Sequence, residues 1–172
     1  MNSQELADMF GTRRPKCKEK YRELLAGIAT EGDKKGKGGI STLGAYGQSF
    51  MYAFMIGHKI KNGQLNDSDF IAKDEKTFDI APFGNWKPAS IRDYIILMLL
   101  NESEEAGVEW SELDDASDEA VDNWVKELIR RMEAYASIGF EYLNNKWVNE
   151  RYEFDDPFVF VNFLQELSAV DE

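Results

Sequence analysis

At 172 residues, with 43% apolar residues including four Trp, seven Tyr and eleven Phe, the chain is long enough to bury a real core. Its net charge of −12 disfavours a chain-wide interface with phosphate backbones, and its one cysteine forbids an internal disulfide. No apolar run nears the roughly 20 residues that cross a bilayer, and the start "MNSQELADMFGTRRPK" lacks the apolar centre of a signal peptide. One cytoplasmic domain over residues 1–172, without a membrane partner, is therefore expected.

The first predicted helix covers about residues 16–29, where Tyr21, Leu24, Leu25 and Ile28 form the apolar stripe. A flexible, basic, glycine-rich loop follows, "EGDKKGKGGIST" at residues 31–42. The second helix spans about residues 46–61, "YGQSFMYAFMIGHKIK", with Phe50, Met51, Phe54 and Met55 on one broad side. Ala53 and Gly57 leave room for a close neighbour, and Asn62-Gly63 ends the helix in the left-handed conformation that glycine readily adopts. In "DFIAKDEKTFDI", residues 69–80, two short apolar pieces flank a polar centre, the pattern of a small hairpin. Pro88 closes the irregular "APFGNWKP" and suits a helix start, where its missing N–H costs nothing. The helix after it, to about residue 104, is apolar on nearly every side from Tyr94 to Leu100, which marks it as the central, buried helix.

The clearest period runs from Asp118 to about Lys146. Val121, Val125, Leu128, Met132, Tyr135, Gly139 and Tyr142 alternate spacings of four and three, with Ser117 as N-cap and Asp118 and Glu119 at the positive end of the dipole. A last helix starts near Pro157 with Asp156 as its cap and turns Phe160, Phe163, Leu164 and Leu167 inward. The fold class expected is mainly α, a compact helical bundle with a small β-hairpin at most.

No catalytic signature stands out. A phosphate-binding P-loop needs G-x-x-x-x-G-K-[ST] between a strand and a helix. Here three residues separate Gly32 from Gly36, and Gly38 follows Lys37 where a hydroxyl should hold magnesium. One histidine and one cysteine cannot build a His/Cys zinc set, and "NDSDF" lacks the glycine and closing Glu of a calcium loop, so no cofactor is expected. His58 fits a structural pairing with a carboxylate. Cys17 lies among Lys16, Lys18 and Lys20, which would favour its thiolate, but no partner histidine accompanies it. The triplets Asp33-Lys34-Lys35 and Asp74-Glu75-Lys76 have the carboxylate-to-lysine spacing of metal-dependent nucleases, which keeps a magnesium-dependent nuclease open as an alternative.

Charge is unevenly spread. Residues 1–63 hold eleven Lys/Arg against six Asp/Glu, the remainder nine against twenty-six, and no basic residue lies between Arg92 and Lys126. Nine carboxylates crowd residues 102–119. That segment reads as a solvated loop, as a docking face for a basic partner through Glu104, Glu105, Asp114 and Asp115, or as a surface that imitates the charge of DNA. Nucleic-acid contact, weak or indirect, falls to the basic first third, with Lys34, Lys35 and Lys37 as its candidates. Phe83 and Trp86 either close the core as a lid or form an aromatic hot spot for a partner. In "YLNNKWVNERYEF", Trp147, Tyr152 and Phe154 stand near Lys146 and Arg151, a stacking set for nucleic acid that the adjacent carboxylates oppose. The Met-rich and aromatic helices leave a homodimer open.

Three stretches, "SFMYAFMIGHKIKNGQ", "IRDYIILMLLNESEEAG" and "RRMEAYASIGFEYLNN", together resemble a small family associated with bacterial Dnd systems, which mark DNA by phosphorothioation and restrict unmarked DNA. The likeness covers roughly residues 45–145. It rests on the Phe50/Phe54–Gly57 helix with its basic end, the apolar helix followed by acidic residues, and Ala136-Ser137-Ile138-Gly139 near the end of the long helix. The glycine-rich residues 32–39 and the tail after Trp147 lie outside the family pattern, and no catalytic residue carries over. The resemblance implies a setting, defence against foreign DNA, and an accessory role. The function expected is a non-enzymatic component that binds another protein in a bacterial DNA-modification or restriction system. The alternatives are an acidic DNA-mimic regulator of a DNA-binding enzyme and the magnesium-dependent nuclease.

Overall fold

Along the chain come helices α1 (Ser3–Thr12), α2 (Arg22–Ile28), α3 (Tyr46–Lys61), α4 (Ala89–Asn101), α5 (Asp118–Asn149) and α6 (Val159–Ala169), with two short strands, β1 (Lys16–Lys18) after α1 and β2 (Thr77–Asp79) after α3. This computed structural model describes residues 3–29, 45–108, 110–112 and 115–169. The fold is mainly α with one small antiparallel β pairing. Among the described residues, no helix is long and apolar enough to cross a membrane.

The strongest period in the sequence becomes the longest helix. At 1.5 Å per residue α5 is about 48 Å long. Its start is fixed as the sequence implies: the Ser117 hydroxyl accepts the Ala120 N–H at 3.2 Å, and Asp118 and Glu119 fill the first turn. Val121, Val125, Leu128, Met132, Tyr135, Gly139 and Leu143 are all buried.

The partner of α5 is α3, and the two backbones touch. A Cβ placed on Gly57 would lie 1.8 Å from the Tyr135 carbonyl oxygen, and one on Gly139 would lie 1.8 Å from the Ala53 carbonyl oxygen. Small residues one turn apart on each helix permit this crossing. Where it ends, α3 stops at Asn62 (φ 49°) and Gly63 (φ 72°), both left-handed, and the Gly63 N–H donates to the His58 carbonyl.

Phe54 of α3 meets Tyr135 of α5 edge-on at 5.6 Å, and two further aromatic groups flank this pair. Phe50 of α3 meets Phe140 of α5 and Trp86, with ring centroids 5.8 and 5.1 Å away, and Tyr21 stacks on Phe140 at 5.6 Å. At the other group Phe163 of α6 sits edge-on to Tyr142, Phe154 and Phe160. Asp156 organises the entry to α6 by accepting the Phe158 N–H at 2.8 Å and the Asn162 amide at 2.9 Å. Phe160 and Phe163 are buried, while Leu164 and Leu167 pack only half-buried against the core.

Three expectations need correction. The β pairing is not local to residues 69–80: β2 takes as its partner β1, with Cys17 opposite Phe78, so the two strands come from distant parts of the chain. The first predicted helix is accordingly shorter. Residues 16–18 are extended, Glu19–Tyr21 is a 3-10 turn, and helix begins only at Arg22, while Ser3–Thr12 forms a helix that the polar N-terminus did not advertise. The apolar α4 is not the central helix. Only Ile95 and Leu99 are buried on it, while Tyr94 and Leu97 are 56% and 62% exposed.

Candidate functional site

The most elaborate polar arrangement gathers residues from three helices. His58 occupies the last turn of α3, Glu102 follows the end of α4, and Arg131 and Tyr135 stand one turn apart on α5. Glu102 Oε1 meets His58 Nε2 at 2.8 Å, and its Oε2 accepts from the Tyr135 hydroxyl at 2.7 Å and from Arg131 at 3.3 Å. Arg131 also donates to Glu105 at 3.0 Å. Glu102, Arg131 and Tyr135 are all buried.

Burial alone would raise the Glu102 pKa, but hydrogen bonds from His58, Tyr135 and Arg131 outweigh it and hold the carboxyl below its usual range. The Tyr135 hydroxyl moves the other way, raised by burial and by its bond to that anion. The arrangement is thus an ionised carboxylate compensated by a buried guanidinium. Its first consequence is to lock α3, α4 and α5 together.

His58 and Glu102 of this network line a cleft of about 470 Å³. Tyr94 and Met98 of α4 give the cleft an apolar wall, and Glu104 and Glu105 form an acidic rim beside Asn101. Glu105 is partly committed to Arg131, whereas Glu104 is exposed and has no ion-pair partner among the described residues. A carboxylate rim beside an apolar wall is chemically suited to a lysine or arginine side chain that carries its hydrocarbon stem with it.

The residues singled out in the sequence separate into distinct fates. Glu104 and Glu105 meet at this cleft, and Asp115 is exposed further along the chain. Asp114, Lys34, Lys35 and Lys37 lie outside the described residues, as does Asp33. Phe83 and Trp86 are 1% and 3% exposed and pack on each other at 5.0 Å, with the indole N–H donating to Ala81 O at 2.8 Å. They close the core and offer no exposed hot spot. The exposed aromatic beside the acidic rim is Tyr94 instead. Its apolar neighbourhood in the sequence read as core, so nothing there distinguished it.

Other candidates are drawn inward. Cys17 is 1% exposed, and burial pushes its thiol up to about 12, against the depressing effect of Arg22. The lysines flanking it in sequence do not produce the expected thiolate. Trp147 packs edge-on to buried Phe154, and Arg151 lies 4.2 Å from the Trp147 ring centre. Lys146 is surrounded by Glu150, Glu153 and Glu166 within 3.5 Å, so the stacking set is consumed internally apart from exposed Tyr152. Asp74 stands on an exposed turn, where neighbouring Glu75 reaches Lys18 at 3.8 Å. Among the described residues no group of three or more His, Cys, Asp or Glu side chains is placed to hold a metal.

Compared with protein-family models, with curated proteins and with solved structures, the chain finds no match in any of the three.

Proposed function

We propose that the protein is a non-enzymatic binding component that docks on a basic surface of another protein through the exposed face of α4 and its acidic rim. One observation carries this reading. Tyr94 and Leu97 are more than half exposed on the same helix face as the cleft whose rim is Glu104 and Glu105, in a stretch of sequence with no basic residue from 93 to 125. Exposed apolar side chains near a single-sign rim supply both parts of a docking site, an anchor and an orienting field. The partner is expected to insert a Lys or Arg beside Tyr94 and to bind less tightly in salt, since exposed charges are screened within about 8 Å at physiological ionic strength. The bacterial DNA-modification or restriction setting enters this proposal through the sequence resemblance alone.

The test is capture from the host with the wild-type chain and two variants, Tyr94→Asp/Leu97→Asp and Glu104→Lys. A basic protein recovered by the wild type in a salt-dependent way, and lost with both variants, is the expected result. Recovery that is unchanged with both variants, each confirmed as folded, would sink the proposal.

A further inference from the structure

A second groove, also about 470 Å³, runs between the start of α3, β2 and the segment that leads into α4. Its volume falls in the range of about 300–1,000 Å³ typical of small-molecule sites. Half-buried Phe78 gives it an apolar wall, which Ile80 and Trp86, 1% and 3% exposed, back from the core. The Trp86 indole spends its one N–H on Ala81 O, so the ring makes no polar demand on an occupant. Gly47 lets that ring lie against the first turn of α3, because a Cβ there would meet the indole at 2.7 Å.

The charge at this groove opposes that of the chain as a whole. Arg14, Arg22 and Lys87 line it against one carboxylate, Asp79, in a protein with 32 acidic and 20 basic residues. Arg22 is already committed: it holds Glu19 through two nitrogens, and its guanidinium stands 4.0 Å from the centre of the Phe78 ring. Arg14 and Lys87 are different. Both are exposed, and neither has an ion-pair partner among the described residues. Arg14 and Lys87 thus line one groove with no carboxylate holding either of them among the described residues. The N-terminus of the 16-residue α3 adds positive potential at the same place, since its cap residue Ala45 supplies no side-chain acceptor.

We propose that this groove binds a small ligand with an anionic head and a flat apolar body, the chemistry of a nucleoside monophosphate. Arg14 and Lys87 take the head near the start of α3, and Phe78, backed by buried Trp86, takes the ring. A divalent cation is repelled by the same charges, and a bare anion leaves the apolar wall unused. The site is independent of docking at α4.

The experiment is calorimetric titration of the full chain with AMP, inorganic phosphate and adenosine, supported by tryptophan fluorescence. The expected result is saturable AMP binding that weakens with salt, with phosphate and adenosine each binding more weakly. Arg14→Glu and Lys87→Glu each lower AMP affinity about tenfold, the loss of one charge-assisted hydrogen bond. Lys73→Glu, on an exposed turn elsewhere, leaves affinity unchanged. If a reversed charge prevents folding, Arg14→Gln and Lys87→Gln give the same direction of change. Absence of saturable AMP binding at millimolar concentration, indifference to both substitutions, or phosphate binding as tightly as AMP would each overturn the proposal.

Discussion

The Tyr135 carbonyl oxygen lies 1.8 Å from where a side chain at Gly57 would begin, so α3 and α5 are separated by main chain alone at that level. Flexible side chains could yield to an added methyl, but here the obstacle is backbone of a buried helix. Gly57→Ala is therefore expected to destabilise the fold by about 3 kcal/mol or more, because the two central helices must part. Gly139→Ala meets the Ala53 carbonyl in the same way and should behave alike. By contrast Gly107, at φ 70° with nothing within 4 Å of an added Cβ, loses only backbone ease on substitution. Urea denaturation of the three variants checks the order, and a Gly57→Ala protein as stable as wild type would contradict the packing.

Glu102 touches His58, Tyr135 and Arg131 together. Glu102→Gln leaves the buried Arg131 guanidinium with only the exposed Glu105 as counter-charge, and a loss on the order of 3 kcal/mol is expected. The pH dependence has a definite sign. Because the folded pKa lies below the unfolded value of 4.5, the contribution of Glu102 is complete above that pH and fades as pH falls through the folded value. The wild type should lose stability in acid more steeply than the Gln variant, measured by denaturation between neutral pH and the acid range. Parallel profiles would count against the network as described.

The thiol of Cys17 supplies a chemical check. Paired with Phe78 across the strands and buried, with a pKa of about 12, it should resist Ellman's reagent in the folded chain and react promptly in denaturant. Rapid labelling of the native protein would place Cys17 at the surface.

Legibility from sequence followed the range of the interactions. The α5 stripe and its Ser117 cap are set by residues within a few positions of each other, and the close-approach pair Ala53 and Gly57 stands out within a single helix. Those features were readable. Strand β1 is Lys-Cys-Lys, three residues with no apolar alternation, and it becomes a strand only because residues 77–79 lie alongside it. The apolar run of α4 looks the same whether the helix is central or at an edge, since Tyr94 and Leu97 differ from Ile95 and Leu99 only in where the rest of the fold stands. His58 and Glu102 are 44 positions apart, and no local pattern ties one to the other. At Cys17 the charges nearby in sequence pointed one way, and burial by the rest of the fold decided the other.

The position of α4 separates two leucines that are alike in sequence. Leu99 is fully buried, so Leu99→Ala should cost about 2–5 kcal/mol, whereas Leu97→Ala, at 62% exposure, should stay within about 0.5 kcal/mol. Equal losses on denaturation would return α4 to the interior. The contrast also makes Leu97 a clean probe of the proposed docking, since its replacement should leave the fold intact.

Glu133 has the opposite pH behaviour to Glu102. Its carboxylate accepts the Lys16 main-chain N–H at 2.8 Å and so ties β1 to α5, but burial dominates and pushes its pKa up to about 7. Between the unfolded value of 4.5 and about 7 the native chain holds a proton that the unfolded chain has released. Stability therefore falls as pH rises through that window, and the full penalty persists above it. Glu133→Gln keeps an oxygen for the Lys16 N–H and removes the titration. At about pH 8 the variant should exceed the wild type by on the order of 1–3 kcal/mol, with the advantage vanishing near pH 4.5. Urea denaturation at the two pH values measures it. A difference that is the same at both would mean that Glu133 is not carrying a buried charge at neutral pH.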